Sequence, residues 1–319
     1  MPPLLSIDNL SVHFSTPEGL ARAVDGVSFD VAAGETVGLV GESGCGKSVT
    51  ALSILRLPPT TSAKVSGRIL FDDRDLTALD EESMRRVRGR QIAMIFQEPM
   101  TSLNPVFPVG EQIAEVFRLH LRMKRTAARE AAVDALARVG FERPRDGARS
   151  YPNQLSGGMR QRVMIAMAMV AGPKLLIADE PTTALDVTIQ AQVLELLARQ
   201  RAATGCAVLL ITHDLGVVAE TCERVVVLYA GRVAEVAAVR DLFNRPLHPY
   251  AQGLLRAVKR LDEGGVEAAI PGRVDPATRY PAGCRFASRC PRVMERCRVE
   301  DPPLFVIDGT RVACWLYVA

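Results

Sequence analysis

The eight residues GESGCGKS, Gly41 to Ser48, constrain this chain more than any other stretch. They follow an apolar, strand-like run that ends at Val40 and precede an apolar stretch with helical spacing, Val49 to Leu57. A glycine-rich turn of the form G-x-x-x-x-G-K-[ST] between a strand and a helix curls consecutive backbone N–H groups around an anion at the positive end of the helix. The pattern predicts a phosphate-binding loop built from Gly41, Ser43, Gly44, Cys45, Gly46 and the first helical residues through Val49. In such a loop Lys47 reaches the β- and γ-phosphates and the Ser48 hydroxyl takes a place on Mg²⁺. The plain alternative, a glycine turn that merely caps a helix, is weakened by the strand before it and the helix after it.

A chain of 319 residues exceeds one average domain, so a large domain with a smaller appendage is expected. With 48% hydrophobic and 24% charged residues it has ample apolar surface for a core. A net charge of +3 is too small to argue for nucleic acid, and the cluster Arg85, Arg86, Arg88 and Arg90 reads as a solvated helix face. No apolar run approaches the ~18 residues that a membrane span needs, and MPPLLSIDNL lacks the charged start and long apolar core of a signal peptide. The expectation is a cytosolic chain whose membrane role, if any, comes through a partner.

Along the chain, Leu4 to Phe14 and Ala23 to Val31 read as a hairpin around the TPEG turn, Thr16 to Gly19. GRILF (Gly67 to Phe71) and IAMIF (Ile92 to Phe96) read as strands separated by a charged helical segment, Glu81 to Arg90. From Val109 to about Val170 the chain is Ala- and Arg-rich with helical spacing, which predicts a helical insertion. Strands resume at Leu175 to Ala178, Ala207 to Ile211 and Arg224 to Tyr229, with a helix over Val187 to Ala203 between the first two. That β-α-β order implies a parallel sheet covered by helices. From Leu247 onward Pro, Gly and Cys rise, which places a boundary near Arg245.

Two further stretches carry chemistry. In LLIADE, Leu175 to Glu180, a buried strand ends in Asp179, placed to bind Mg²⁺ through water, and Glu180, directed toward a γ-phosphate. In LSGGMRQR, Leu155 to Arg162, the residues Ser156, Gly157 and Gly158 open an apolar helix and form a second anion site of hydroxyl, bare backbone and helix dipole. These motifs, with Gln97 after IAMIF, Asp186 in ALD and His213 in LLITHD, stand in the order found in ATP-binding subunits of ABC transporters, which the first 250 or so residues resemble.

The resemblance implies an α/β fold of the P-loop NTPase, ABC-cassette type. It has a RecA-like mixed or parallel sheet core, an antiparallel β hairpin and a helical subdomain over about 98–172. The cassette would span 1–246 and a small Cys-containing extension 247–319. It further implies that Glu180 is the general base, that Gln97 touches Mg²⁺ and the attacking water, and that His213 hydrogen-bonds the γ-phosphate. Asp186 would cross a dimer interface. Phe14 would stack on adenine, with a plain core role as its alternative. Mg²⁺ would be held by Ser48, Gln97 and Asp179, and the cofactor would be ATP.

The words FQEPMTSLNPV and RPLHPYAQGLL resemble the subunits of the oligopeptide, dipeptide and nickel importer group, and within it GGMRQRVMIAMAM and DVTIQAQ resemble the D-type subunit. That implies an ATPase powering import of short peptides or a related solute from the cytoplasmic face of the membrane, bound peripherally. Its partners would be a distinct F-type ATPase subunit in a heterodimer, two membrane-spanning permease subunits and an extracytoplasmic solute-binding protein, with no nucleic acid. A soluble ABC ATPase of nucleic-acid repair or translation is the alternative; it would call for a long coiled coil or two cassettes and a strong basic face.

Cys284, Cys290, Cys297 and Cys314 are spaced C-x5-C-x6-C-x16-C, unlike the C-x2-C pairs of common zinc sites or ferredoxins. Four thiolates suffice for a tetrahedral metal or a four-iron cluster. Some members of the group resembled carry an iron–sulfur cluster here, so a [4Fe-4S] site is expected, with zinc or four packed thiols as alternatives. Cys45 reads as a tolerated small residue that could make the loop sensitive to oxidation.

Overall fold

The computed structural model describes residues 2–57, 62–183, 185–262 and 270–318. It divides into two compact units, one made of Met1–Ala32, Thr36–Ala78 and Ile211–Ala319, the other of Ala33–Glu35 and Leu79–Leu210.

In the first unit, the strands Leu5–Thr16 and Gly19–Val31 form the expected hairpin, which leaves only Pro17 and Glu18 to turn the chain. Ala63–Phe71 adds antiparallel to the other side of Leu5–Thr16, and the short Arg74–Asp75 follows it. Leu5, Ile7, Leu10 and Val12 are buried while Asp8 and Asn9 are exposed, the pattern of a sheet with one wet face. The strand before the glycine loop, Thr36–Val40, is buried along its whole length and runs parallel to Arg224–Tyr229, with Gly38 opposite Val225. Burial on both faces is what a parallel strand of continuous apolar residues requires. Arg224–Tyr229 then pairs antiparallel with Arg232–Ala238, a strand the periodicity did not single out.

The chain after Arg245 contributes to this same unit. Thr310–Val312 pairs antiparallel with Arg232–Ala238, Val312 opposite Glu235, and Phe305–Ile307 forms the outer strand. Its entry is fixed by a carboxylate with no solvent exposure: Glu235 accepts the N–H of Leu247 at 3.0 Å and of His248 at 2.6 Å. Burial pushes its carboxyl above the usual range and these two donors offset part of that. His248 accepts the N–H of Tyr250 on Nδ1 at 3.0 Å, which starts the helix Pro249–Asp262, and Tyr250 is fully buried.

The second unit holds the parallel pair Ile92–Ile95 and Leu175–Asp179, with Ala207–Ile211 next in order. Glu81–Val87 is the charged helix, started by Asp80 accepting from the Ser83 N–H. The expected helical insertion is four main helices, Val109–Leu121, Arg125–Arg138, Pro144–Arg149 and Gly157–Met169. Ala128, Ala132, Ala135 and Leu136 face the neighbours at the three- and four-residue steps that put side chains on one helix face. Among the described residues no helix is long and apolar enough to cross a membrane.

Burial depresses His248 to about 4. The unfolded residue takes a proton near pH 6.5 and the folded one only near 4, so acid favours the unfolded chain across that window and stability falls as pH falls. Urea unfolding at pH 7 and pH 5 should show about 2 kcal/mol lost through this one group, a loss missing from His248→Asn.

Candidate functional site

In the first unit the residues after Val40 form the expected loop. Gly41 has φ +152° and a Cβ there would lie 2.2 Å from the Leu228 carbonyl oxygen; Gly46 has φ +102° and its Cβ would lie 2.5 Å from the Ala23 oxygen. Only glycine lets the backbone pass so close at both ends of the loop. The helix Lys47–Ile54 starts at Gly46, and no side chain caps it, so its first N–H groups face the loop. Lys47 is 6% exposed, and its ammonium donates to the carbonyls of Gly41 at 2.7 Å and Glu42 at 3.1 Å. Ser43 and Gly44 are exposed at the tip, Ser48 and Val49 half-buried behind it, and Cys45 faces inward.

His213 is exposed and follows Thr212, whose N–H donates to Leu39 of the loop's own strand at 3.4 Å. The unit thus carries His213 on a backbone tied to the residue two before Gly41. Asp214 accepts the N–H groups of Gly216 and Val217 and starts the next helix. Phe14 is half-buried in the antiparallel sheet, opposite Ala21 on one side and Ala63 on the other.

The second unit brings Gln97 and Glu180 together. Asp179, 4% exposed, ends the buried strand Leu175–Asp179. Glu180 sits at φ +47°, a left-handed conformation that a non-glycine residue adopts at a cost of roughly 1–3 kcal/mol. Its carboxylate accepts from Gln97 Nε2 at 3.1 Å and from Thr183 Oγ1 at 2.8 Å, which hold one of its oxygens in place. Ser156 caps the helix Gly157–Met169, its hydroxyl accepting the Met159 N–H at 3.3 Å. Ser156 and Gly157 are exposed, and Gly158 lies so close to Ile189 that a Cβ would meet its Cγ2 at 2.7 Å. Asp186 caps the helix Val187–Thr204 by accepting the Ile189 N–H at 2.9 Å and is exposed. Sequence reasoning missed Thr183, and it missed three residues around Glu42 in the first unit: Tyr229, Tyr250 and Arg289. The three around Glu42 act across long sequence separations that no local pattern signals, whereas Thr183 lies only three residues from Glu180.

The chain matches the ABC transporter family over residues 24–183 and the C-terminal region of oligopeptide/dipeptide transporters over 234–297. It is 54% identical to a probable peptide ABC transporter ATP-binding protein, y4tR, of Sinorhizobium fredii, over 98% of this chain and 94% of that one. It is 51% identical to the oligopeptide transport ATP-binding protein AppD of Bacillus subtilis, over 99% of this chain and 98% of that one. The dipeptide transport ATP-binding protein DppD of the same organism is also 51% identical, over 99% and 95%. Among solved structures, a dimeric ATP-binding cassette in a post-hydrolysis state with ADP and Pi has 29% identity and a TM-score of 0.66. That likeness covers 74% of this chain and 99% of the other.

The four C-terminal cysteines do not form the expected cluster. Among the described residues no group of three or more Cys, His, Asp or Glu side chains is arranged to hold a metal ion, so neither the [4Fe-4S] site nor zinc fits Cys284, Cys290, Cys297 and Cys314. The four thiols line one small pocket, with Phe286, Trp315 and Leu316 among its other walls, and each also packs against apolar neighbours. Cys290 lies against the Tyr250–Phe286 core and Cys314 with Leu247 and Val312; Cys297 packs with Ala287 and Trp315, and Cys284 borders both the first and the last of these groups. Burial pushes Cys284 and Cys314 up to about 11 and raises Cys290, and the neighbouring thiols add to the rise. Burial likewise raises the thiol of Cys45, which is 2% exposed. Iodoacetamide at pH 7 should therefore leave Cys45 unmodified in the folded chain and label it after urea unfolding, as peptide mass spectrometry would read.

Proposed function

The chain belongs to the ATP-binding subunits of ABC transporters of the oligopeptide/dipeptide type, and we propose the following division of labour among its residues. It is an ATPase that energises uptake of short peptides or a related solute by ATP-driven closure of a dimer of cassettes. The loop Gly41–Ser48 takes the phosphates. Its bare backbone at Gly41 and Gly46 and its buried Lys47 are the donor set a polyphosphate needs. Ser48, Gln97 and Asp179 would hold Mg²⁺, which when bound neutralises charge on the phosphate oxygens. Glu180 orients the attacking water and accepts its proton, His213 donates to the γ-phosphate, and Phe14 lies against the adenine. Ser156, Gly157 and Gly158 serve the nucleotide of the partner cassette, and Asp186 stands at the shared interface.

The observation that carries this reading is Glu180. A carboxylate kept in a left-handed backbone conformation and bridged to Gln97 and Thr183 is equipped for hydrolysis, which disfavours a nucleotide-sensing module without catalysis. Permease subunits are the membrane partners of such a chain. We propose further that the second cassette is a distinct F-type subunit, that an extracytoplasmic binding protein delivers the solute, and that the chain sits on the cytoplasmic face of the membrane. The division into a cassette over 1–246 and an extension over 247–319 belongs to the same proposal.

Glu180→Gln should keep ATP binding, lose hydrolysis by about a hundredfold or more, and accumulate as a closed dimer with ATP on size-exclusion chromatography. Turnover near the wild-type rate would remove Glu180 from the role of base.

A further inference from the structure

Glu42, the second residue of the phosphate loop, has each of its polar groups engaged, and two of the three are held from beyond residue 245. Its N–H donates to the Tyr250 hydroxyl at 2.9 Å. Its carbonyl accepts from Lys47 Nζ at 3.1 Å. Its carboxylate takes the forked pair from Arg289, one bond of 2.7 Å and one of 3.0 Å, the geometry that fixes direction as well as distance. The Arg289 side chain is 4% exposed and is itself pinned by the carbonyls of Ile270 and Pro271, each at 3.0 Å, and by the Tyr229 hydroxyl at 3.3 Å. Tyr250 is fully buried with its ring edge-on to Tyr229, 4.6 Å between centroids.

We propose that Arg289 is a positioning residue for the nucleotide site, acting through Glu42. Two physical effects combine. The tyrosine holds the peptide plane before Glu42, Lys47 the plane after it, and the fork anchors its side chain, so the N–H groups that follow stay curled for an anion before any anion arrives. The guanidinium also neutralises a carboxylate that would otherwise stand bare in the loop that receives a polyphosphate. The C-terminal region thereby becomes part of the phosphate loop's support, and its attachment sets nucleotide affinity without touching nucleotide.

This inference rests on the reading of Gly41–Ser48 as the nucleotide loop. The test is calorimetric titration of the full chain with Mg·ADP, together with thermal unfolding midpoints. Arg289→Ala should weaken Mg·ADP binding about tenfold, which is 1.4 kcal/mol, because the loop is loosened and the Glu42 carboxylate is exposed. Adding Glu42→Gln to Arg289→Ala should restore part of the affinity, since the bare charge is gone; a purely structural Arg289 would show no such relief. Arg289→Lys keeps the charge without the fork and should weaken binding by a smaller factor, which serves if the alanine variant does not fold. Unchanged affinity in a folded Arg289 variant, or a loss that Glu42→Gln deepens, overturns the proposal. Lys47→Ala separates the two levels: if it abolishes Mg·ADP binding while Arg289→Ala does not weaken it, the nucleotide loop stands and the inference falls. If Lys47→Ala binds as the wild type does, the nucleotide-loop reading itself falls.

Discussion

The approach of Gly41 to the Leu228 carbonyl is the contact on which the nucleotide loop depends. A backbone that must pass a neighbouring strand's oxygen with no room for a Cβ can leave the sheet in one direction, and that direction delivers Lys47 to the start of a helix. The parallel pairing of Thr36–Val40 with Arg224–Tyr229 holds the oxygen in place. Continuous burial of both strands holds the pairing in place, because neither could slip by one residue without changing which side chains fill each face. The chemistry of the loop is thus a consequence of sheet register more than of the loop residues themselves.

How the carboxylate proposed as the base is poised is a separate matter in the second unit. Asp179 ends a strand in ordinary extended backbone, buried, whereas the very next residue turns left-handed. The abrupt change keeps two adjacent acids in different environments, one enclosed and one half-exposed beside Gln97 and Thr183. Two like charges in sequence can then serve two roles, since proximity along the chain does not force proximity of surroundings.

Much of this was legible from residue order. The hairpin around Pro17 and Glu18, the buried strands, the Ala-rich helices and the motif residues follow from periodicity and from spacings of a few residues, for which local sterics suffice. What escaped were bonds between distant positions: Gln97 to Glu180 across 83 residues, Tyr250 to Glu42 across 208, Arg289 to Glu42 across 247. The cysteines show the converse error. Four thiols in the last stretch of chain satisfy a count and line one pocket, yet among the described residues they are not arranged to hold a metal ion, and apolar neighbours such as Trp315, Phe286 and Leu247 take them as small hydrophobic groups. The strand Arg232–Ala238 went unseen because it is almost wholly buried and contains an ionisable residue, Glu235, that interrupts the apolar pattern it belongs to.

That same strand gives the C-terminal hairpin a second significance, in folding. Until Thr310–Val312 arrives, Arg232–Ala238, paired on one side with Arg224–Tyr229, leaves the backbone groups of its other edge unpaired, an open template for another chain. The residues that close it are synthesised long after it, so each newly made chain passes through an interval in which its sheet has a bare, apolar rim. The finished protein ends that sheet instead with Phe305–Ile307, three residues long and too short to recruit a neighbour. The half-made chain, rather than the finished one, is the species whose sheet edge stands open to a neighbour.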